Sequence, residues 1–281
     1  MPPIIIWNID PVIFMLTPTF PIKYYGILFA LGITIAFLIV KSIYRHEGKL
    51  IEELDTLLIY IVLGTVLGAR LGHCLFYEPE YYLNHLLEII LPFKKIDGTY
   101  HYIGFQGLAS HGGTIGVLLS IIFYCIKSKT PLLQVLDRVA IAAPIAGTFI
   151  RLGNLMNSEI YGIPTDGTWG VIFLQDDTIP RHPTQLYEAV TYLCIFLFLW
   201  FIYQKTELIR KSGVMFGLFL ILVFTARFFL EFFKENQVSF ENQMSLNMGQ
   251  LLSLPFVILG VGLLIWRLSK PKNQVFNNHK F

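Results

Sequence analysis

YYGILFALGITIAFLIVKSIY, residues 24–44, carries no charged side chain before Lys41. At about 1.5 Å of rise per residue, a run of about 20 apolar residues spans the roughly 30 Å hydrocarbon core of a bilayer. The run is therefore expected to be a membrane helix. Six more stretches qualify in the same way: 54–77, 105–126, 132–153, 184–204, 213–234 and 248–267. Composition agrees with them. The 281 residues are 54% hydrophobic and only 14% charged, with a mean hydropathy of +0.60, outside the range of soluble domains. The expected fold is all-α: a polytopic integral membrane protein of about seven transmembrane helices, with residues 1–281 forming a single membrane-embedded domain.

Lys and Arg beside the spans orient the chain. One set of connections holds Lys41, Arg45, Lys49, Lys127, Lys129, Lys205, Arg210, Lys211, Arg267, Lys270, Lys272 and Lys280. The alternate set holds only Lys23, Lys94, Lys95, Arg181 and Lys234. The richer set is read as cytoplasmic, which puts the N-terminus outside and the C-terminus in the cytoplasm. The longer connections, 78–104, 154–183 and 235–247, then lie outside. Residues 78–104, which begin EPEYYLNHLLEIILPF at Glu78, read as an outer interfacial arm.

Several classes of protein are set aside on composition. A net charge of +2 with scattered basic residues gives no footprint for nucleic acid. Cys74, Cys125 and Cys194 fall inside apolar runs with no CxxC or metal-ligand spacing, so neither a disulfide framework nor a metal site is expected. The opening MPPIIIWNIDPVIFMLTPTF lacks a basic n-region and carries prolines at 2, 3, 11 and 18, unlike a signal peptide. Gly64, Gly68 and Gly72 in GTVLGARLG recur every four residues, a spacing that lets two helices approach closely.

Against this apolar background the ionisable residues stand out, because one near the bilayer centre costs about 3 kcal/mol and faces a protein interior or a wet cavity. Arg227 and Glu231 in ARFFLEFF are four apart, share a helical face and can pair. Arg70 and His73 are three apart and can snorkel to the outer interface. His111 sits in ASHGGTIGV, where Gly112, Gly113 and Gly116 leave room for a ligand or another helix. A lone histidine in a helical apolar segment is more often a hydrogen-bonded packing residue. The densest group is IRLGNLMNSEIYG, residues 150–162, where Arg151, Asn154, Asn157 and Glu159 would converge if the helix ran that far. A guanidinium offers planar paired donors to a phosphate diester and Asn amides can donate to its remaining oxygens. Two arginines on the fourth and sixth spans thus suggest an anionic ligand at membrane depth, a phospholipid headgroup above all.

Taken in order, DPVIF (10–14), YYGILFALG (24–32), SHGG (110–113), RLGNLMNSEIYG (151–162), RHPTQLYE (181–188), ARFFLEFF (226–233) and MGQLLSLP (248–255) resemble the prolipoprotein diacylglyceryl transferases over nearly the whole chain. The resemblance implies a seven-span enzyme of the bacterial cytoplasmic (inner) membrane, its active site toward the outer face. Such an enzyme moves the diacylglyceryl group of phosphatidylglycerol to the lipobox cysteine thiol of a prolipoprotein signal peptide and releases glycerol 1-phosphate, the first step of lipoprotein maturation. By motif match, Tyr25, His111, Arg151, Asn154, Glu159, Gly162, Arg227 and Glu231 fall where the family keeps its functional groups. The chain departs from the commonest pattern at Ile150, where glycine usually precedes the signature arginine, at Leu155, where phenylalanine often stands, and at Ser158, where some members have glycine.

The implied chemistry is a thiol alkylation with a phosphate monoester leaving. A free thiol with a pKa near 8.5 is only about 3% thiolate at neutral pH. His111 would take its proton, Arg151 and Arg227 would neutralise the leaving phosphate, and Asn154, Glu159, Gly162, Tyr25 and Glu231 would bind substrate or orient the arginines. Glu231 is expected to fix Arg227. No cofactor or metal is implied; the partners are phosphatidylglycerol, the prolipoprotein and membrane lipid. A non-catalytic transporter of anionic lipid would also use membrane arginines, although the chain lacks internal symmetry. An intramembrane protease fits less well, because HExxH is absent and Ser110 and His111 diverge by about 100° on a helix.

Overall fold

The computed structural model describes residues 4–17, 20–91, 93–96, 99–102, 107, 109–206, 211–235 and 244–269. Seven helices are long and apolar enough to cross a membrane: α1 (Tyr24–His46), α2 (Ile51–Phe76), α5 (Ser110–Ser128), α6 (Leu132–Met156), α7 (Thr184–Lys205), α8 (Val214–Leu230, continued by a 3-10 turn at Glu231–Phe233) and α9 (Met248–Leu268). Each falls on a stretch expected from hydropathy, and the chain is a mostly helical multi-pass membrane protein. Two short helices, α3 (Pro79–Asn84) and α4 (Leu87–Ile90), lie between α2 and α5. Among the described residues, seven short strands occupy the connections: β1 (Ile4–Trp7), β2 (Val12–Thr17), β3 (Phe20–Lys23), β4 (Phe93–Ile96), β5 (Thr99–Tyr102), β6 (Gly170–Phe173) and β7 (Pro180–Arg181).

The chain divides into two compact units, Met1–Ile43 with Leu136–Phe281, and Tyr44–Val135. In the larger, α7 and α8 pack through Tyr192, Ile195, Leu199, Tyr203 and Met215, joined by Ile43 and Ile141. Phe224 of α8 stacks on Phe256 of α9 at 4.3 Å between ring centroids. Asp137 and Pro144, which weaken the hydropathy of the fourth span, do not break α6. Asp137 is buried, yet its carboxylate accepts from the backbone N–H groups of Gly213 and Phe216 at 2.5 and 2.8 Å. Those are donors left open at the start of α8, where the helix dipole also favours an anion. Outside the helices, β1 pairs parallel to β6 and β6 antiparallel to β7, while β2 and β3 form a hairpin leading into α1.

In the smaller unit the glycine ladder performs the packing its spacing predicts. A side chain at Gly64 would strike Ser120 of α5, and one at Gly68 or Gly72 would strike Gly116 or Gly112 at under 3 Å. The glycines after His111 therefore face another helix. Arg70 does not snorkel. It is buried, donating to the backbone carbonyls of Ile89 at 3.0 Å and Glu88 at 2.6 Å with its guanidinium 4.9 Å from the Tyr82 ring, and so ties the 78–91 segment to α2. Among the described residues of 78–104, that segment is followed by the antiparallel pair β4–β5.

Candidate active site

The signature stretch does not bring its polar residues together by staying helical. α6 ends at Met156, and Ser158 and Ile160 adopt positive φ of 53° and 57°. The left-handed turn sends the backbone N–H of Glu159 back to the carbonyl of Asn154 at 3.1 Å and that of Ser158 to Leu155 at 3.0 Å. Reversal, rather than a further helical turn, sets the Glu159 carboxylate beside the last turn of α6. A left-handed residue after a helix favours glycine. Ser158 takes that conformation without being glycine.

A chain of side-chain contacts follows from that reversal. Arg151 Nη1 donates to Asn154 Oδ1 at 3.1 Å, and Asn154 Nδ2 donates to Glu159 Oε1 at 2.8 Å. Asn157 Nδ2 adds a second donor to the same oxygen at 3.2 Å. Tyr25, one residue into α1, lies against Gly153, where an added Cβ would meet its ring at 2.8 Å, and interacts electrostatically with Glu159 and Arg151. Gln185, wholly buried in the first turn of α7, donates to the backbone carbonyl of Glu159 at 2.8 Å and fixes the reversed turn from the other side.

Glu188 supplies the counter-charge for Arg151. It is fully buried on α7, with Oε2 at 2.9 Å from Arg151 Nε and Oε1 accepting from Lys234 Nζ at 3.0 Å. Lys234 also stands 3.5 Å from Glu231 Oε2. The expected Arg227–Glu231 pair is absent. The helix holds through Glu231, whose N–H bonds the Arg227 carbonyl, and the 3-10 turn that follows brings Lys234, three residues on, to the Glu231 carboxylate. Among the described residues no carboxylate comes within ion-pair distance of Arg227. Tyr192, one turn beyond Glu188, interacts electrostatically with Glu188, Arg151 and Arg227 together, which sets Arg227 in the same neighbourhood.

Gly162 is a junction. It forms an antiparallel bridge with Lys234, its N–H donates to the His182 carbonyl at 2.8 Å, and a Cβ there would strike His182 and Thr184 at 2.7 Å. Arg181 closes the outside of this junction, bonded to Asp177 at 2.6 Å and to Glu235, with its guanidinium 4.8 Å from the Tyr161 ring. Its hydrogen bond holds the Asp177 carboxyl below the usual carboxylate range. Burial and a hydrogen bond to Asp176 push the Tyr161 hydroxyl up to about 12.

Tyr25, Arg151, Asn154, Glu159, Gly162, Arg227 and Glu231 thus meet within the larger unit. His111 belongs to the smaller unit, exposed in the first turn of α5 with no hydrogen-bond partner among the described residues. Glu188, Lys234 and Gln185 were not singled out as site residues by sequence reasoning. Glu188 is a charge near the start of a span, but nothing in local spacing ties it to an arginine 37 positions earlier.

The family model described as Prolipoprotein diacylglyceryl transferase matches residues 11–266. A phosphatidylglycerol–prolipoprotein diacylglyceryl transferase of Bacteroides fragilis is 50% identical over 258 residues, covering 91% of this chain and 92% of that protein. One from Tolumonas auensis is 48% identical over 260 residues, covering 92% and 96%, and one from Porphyromonas gingivalis 40% over 290 residues, covering 98% of each. With seven membrane-length helices among the described residues, this polar cluster and a match that runs from just before β2 into the last turn of α9, the chain belongs to the prolipoprotein diacylglyceryl transferase family.

Proposed function

We propose that this protein is the phosphatidylglycerol:prolipoprotein diacylglyceryl transferase of a bacterial inner membrane, working at the outer face. The sulfur of the lipobox cysteine bonds to the terminal carbon of the diacylglyceryl group. The bond from that carbon to the phosphate oxygen breaks, its electron pair leaves with glycerol 1-phosphate, and the thiol proton passes to a base. The observation that carries this reading is Arg227, a half-buried cation in a membrane helix with no carboxylate partner among the described residues, beside a cluster where Glu188 and Glu159 already serve Arg151 and Asn154. A cation left so at membrane depth calls for an anion from the substrate.

In this reading Arg151 and Arg227 bind the phosphate and stabilise the charge that builds on it as the carbon departs. Asn154 and Glu159 orient Arg151, Tyr25 closes the site from α1, and Gly162 lets two backbone segments pass at contact distance. Glu231 acts on the cluster through Lys234. His111, on the strength of its SHGG motif, takes the thiol proton. Residues 78–104 lie on the outer membrane surface as an interfacial arm, in keeping with the exposed Leu83, Leu86, Leu87 and Ile90.

The test uses full-length protein in detergent micelles with phosphatidylglycerol and a lipobox peptide. Thioether-linked diacylglyceryl peptide together with released glycerol 1-phosphate is the expected result. Neither thioether nor cleaved peptide would favour the transporter, and a cleaved peptide the protease.

A further inference from the structure

We infer that Glu188 and Lys234 are positioning residues of the transfer reaction, acting as one unit that holds Arg151 while leaving part of its charge free for the substrate. The inference rests on the transferase reading above, and goes beyond the contacts with Arg151 and Glu231 already described by assigning the pair a joint effect on the reaction.

Four buried or half-buried charges alternate in line. Arg151 Nε meets Glu188 Oε2 at 2.9 Å, Glu188 Oε1 meets Lys234 Nζ at 3.0 Å, and Lys234 meets Glu231 Oε2 at 3.5 Å. Glu188 is fully buried and Lys234 nearly so. Burying either alone would cost several kcal/mol, so each needs the other. The contact from Arg151 to Glu188 is an ion pair rather than an aligned hydrogen bond, and Glu188 Oε2 receives no hydrogen bond from the described residues. The carboxylate therefore anchors the guanidinium chiefly by charge.

Sharing decides what that anchor does. A carboxylate bound to one arginine alone cancels its attraction for an anion. A carboxylate shared with a lysine fixes the arginine but returns part of the positive potential through the second cation. The backbone supports such a division of labour, because Lys234 is bridged to Gly162, which closes the same sequence motif that Arg151 opens. Arg151 and Lys234 are thereby tied at two points, once through the Glu188 side chain and once through the main chain. The unit sets both where Arg151 sits and how much charge it presents.

The experiment measures thioether formation at varied mole fraction of phosphatidylglycerol in mixed micelles, with thermal melts, for Lys234→Met, Lys234→Arg, Glu188→Gln and the double variant Glu188→Gln/Lys234→Met. Lys234→Met leaves Glu188 to Arg151 alone and should raise KM for the lipid about tenfold or more, the effect of losing a unit charge in a low-dielectric site. Lys234→Arg should restore it. Glu188→Gln should lower kcat about tenfold or more by releasing Arg151. The double variant removes one charge of each sign, so it should recover much of the melting temperature while turnover stays low. Recovery of both stability and turnover in the double variant would make the pair a mere packing device and overturn the inference. Unchanged KM in a folded Lys234→Met would do the same. Absence of thioether product from the wild-type protein would instead defeat the transferase reading itself.

Discussion

Asn154 and Glu159 are joined side chain to side chain across the end of α6, amide Nδ2 to carboxylate Oε1 at 2.8 Å. The same amide accepts from Arg151 through its oxygen, so only a residue with both a donor and an acceptor completes the chain. Asn154→Asp keeps the shape and the acceptor, but loses the donor and sets a second carboxylate against Glu159. Turnover of this variant should fall about 10²-fold or more, and further than that of Asn154→Ala. Rates of thioether formation near wild type for Asn154→Asp would show that the chain does not orient Arg151.

Arg151 uses two different edges of its guanidinium, Nε toward Glu188 and Nη1 toward Asn154. A lysine keeps the charge but cannot meet both partners at once. Arg151→Lys should therefore lower turnover about 10² to 10³-fold, the scale of losing one preorganised donor to a developing oxyanion. Arg227→Ala should be comparably damaging and should cost more than Glu231→Gln, which touches the cluster only through Lys234. Initial rates of all three, after thermal melts in detergent confirm folding, decide the matter; near wild-type rates for both arginine variants would move the headgroup site elsewhere.

His111 makes no hydrogen bond among the described residues, so His111→Gln should leave a folded protein. As the proposed acceptor of the thiol proton, its loss should lower turnover about 10² to 10⁴-fold at neutral pH. The deficit should shrink as pH rises toward 8.5 and the peptide thiol ionises unaided. A pH–rate profile of wild type and variant gives the answer: an equal deficit at every pH would mean that the imidazole positions rather than accepts.

Ser158 holds φ of 53° and buries a hydroxyl that no described group satisfies. Ser158→Gly relieves the left-handed strain and removes the orphaned polar group together. Stability should rise by about 0.5–1 kcal/mol or more, read as a higher melting temperature with turnover little changed. A lower melting temperature would mean that the hydroxyl has a partner the turn depends on.

From the uneven distribution of Lys and Arg we propose that the N-terminus lies outside and the C-terminus in the cytoplasm. Cysteine placed at Asp166 should react with an impermeant thiol reagent in intact cells, and cysteine at Lys129 should not. The reverse pattern would invert the protein in its membrane.

Hydropathy alone located all seven long helices, because in lipid a backbone must bond to itself and only a helix of membrane length does so within one segment. The boundaries moved by a few residues where charge sits at an end, as at Glu52 and Glu53 in the first turn of α2. The site was legible as residue types and not as pairs. Arg151 and Asn154 are neighbours by helical spacing, which the sequence displays. Arg227 and Glu231 have that spacing too, and the Glu231 N–H bonds the Arg227 carbonyl, yet the 3-10 turn that starts at Glu231 brings Lys234 to its carboxylate instead, and nothing in ARFFLEFF announces it. Glu188 and Lys234 are 46 positions apart, a separation beyond any local pattern. The strands of the connections were missed for a related reason, since runs of two to six residues pair only through partners distant in sequence.

Asp137 sets an order of events during synthesis. Its carboxylate enters with α6, but the amides that receive it, on Gly213 and Phe216, are encoded 76 and 79 residues later. At about 5–20 residues per second, the ribosome takes roughly 4–15 s to supply them. Throughout that interval α6 carries a buried acid with no matching helix start, and its seat in the bundle is provisional. The arrival of α8 closes the account, so a truncated chain ending before Gly213 would keep every residue of the arginine motif and still lack the latch that secures the helix bearing it.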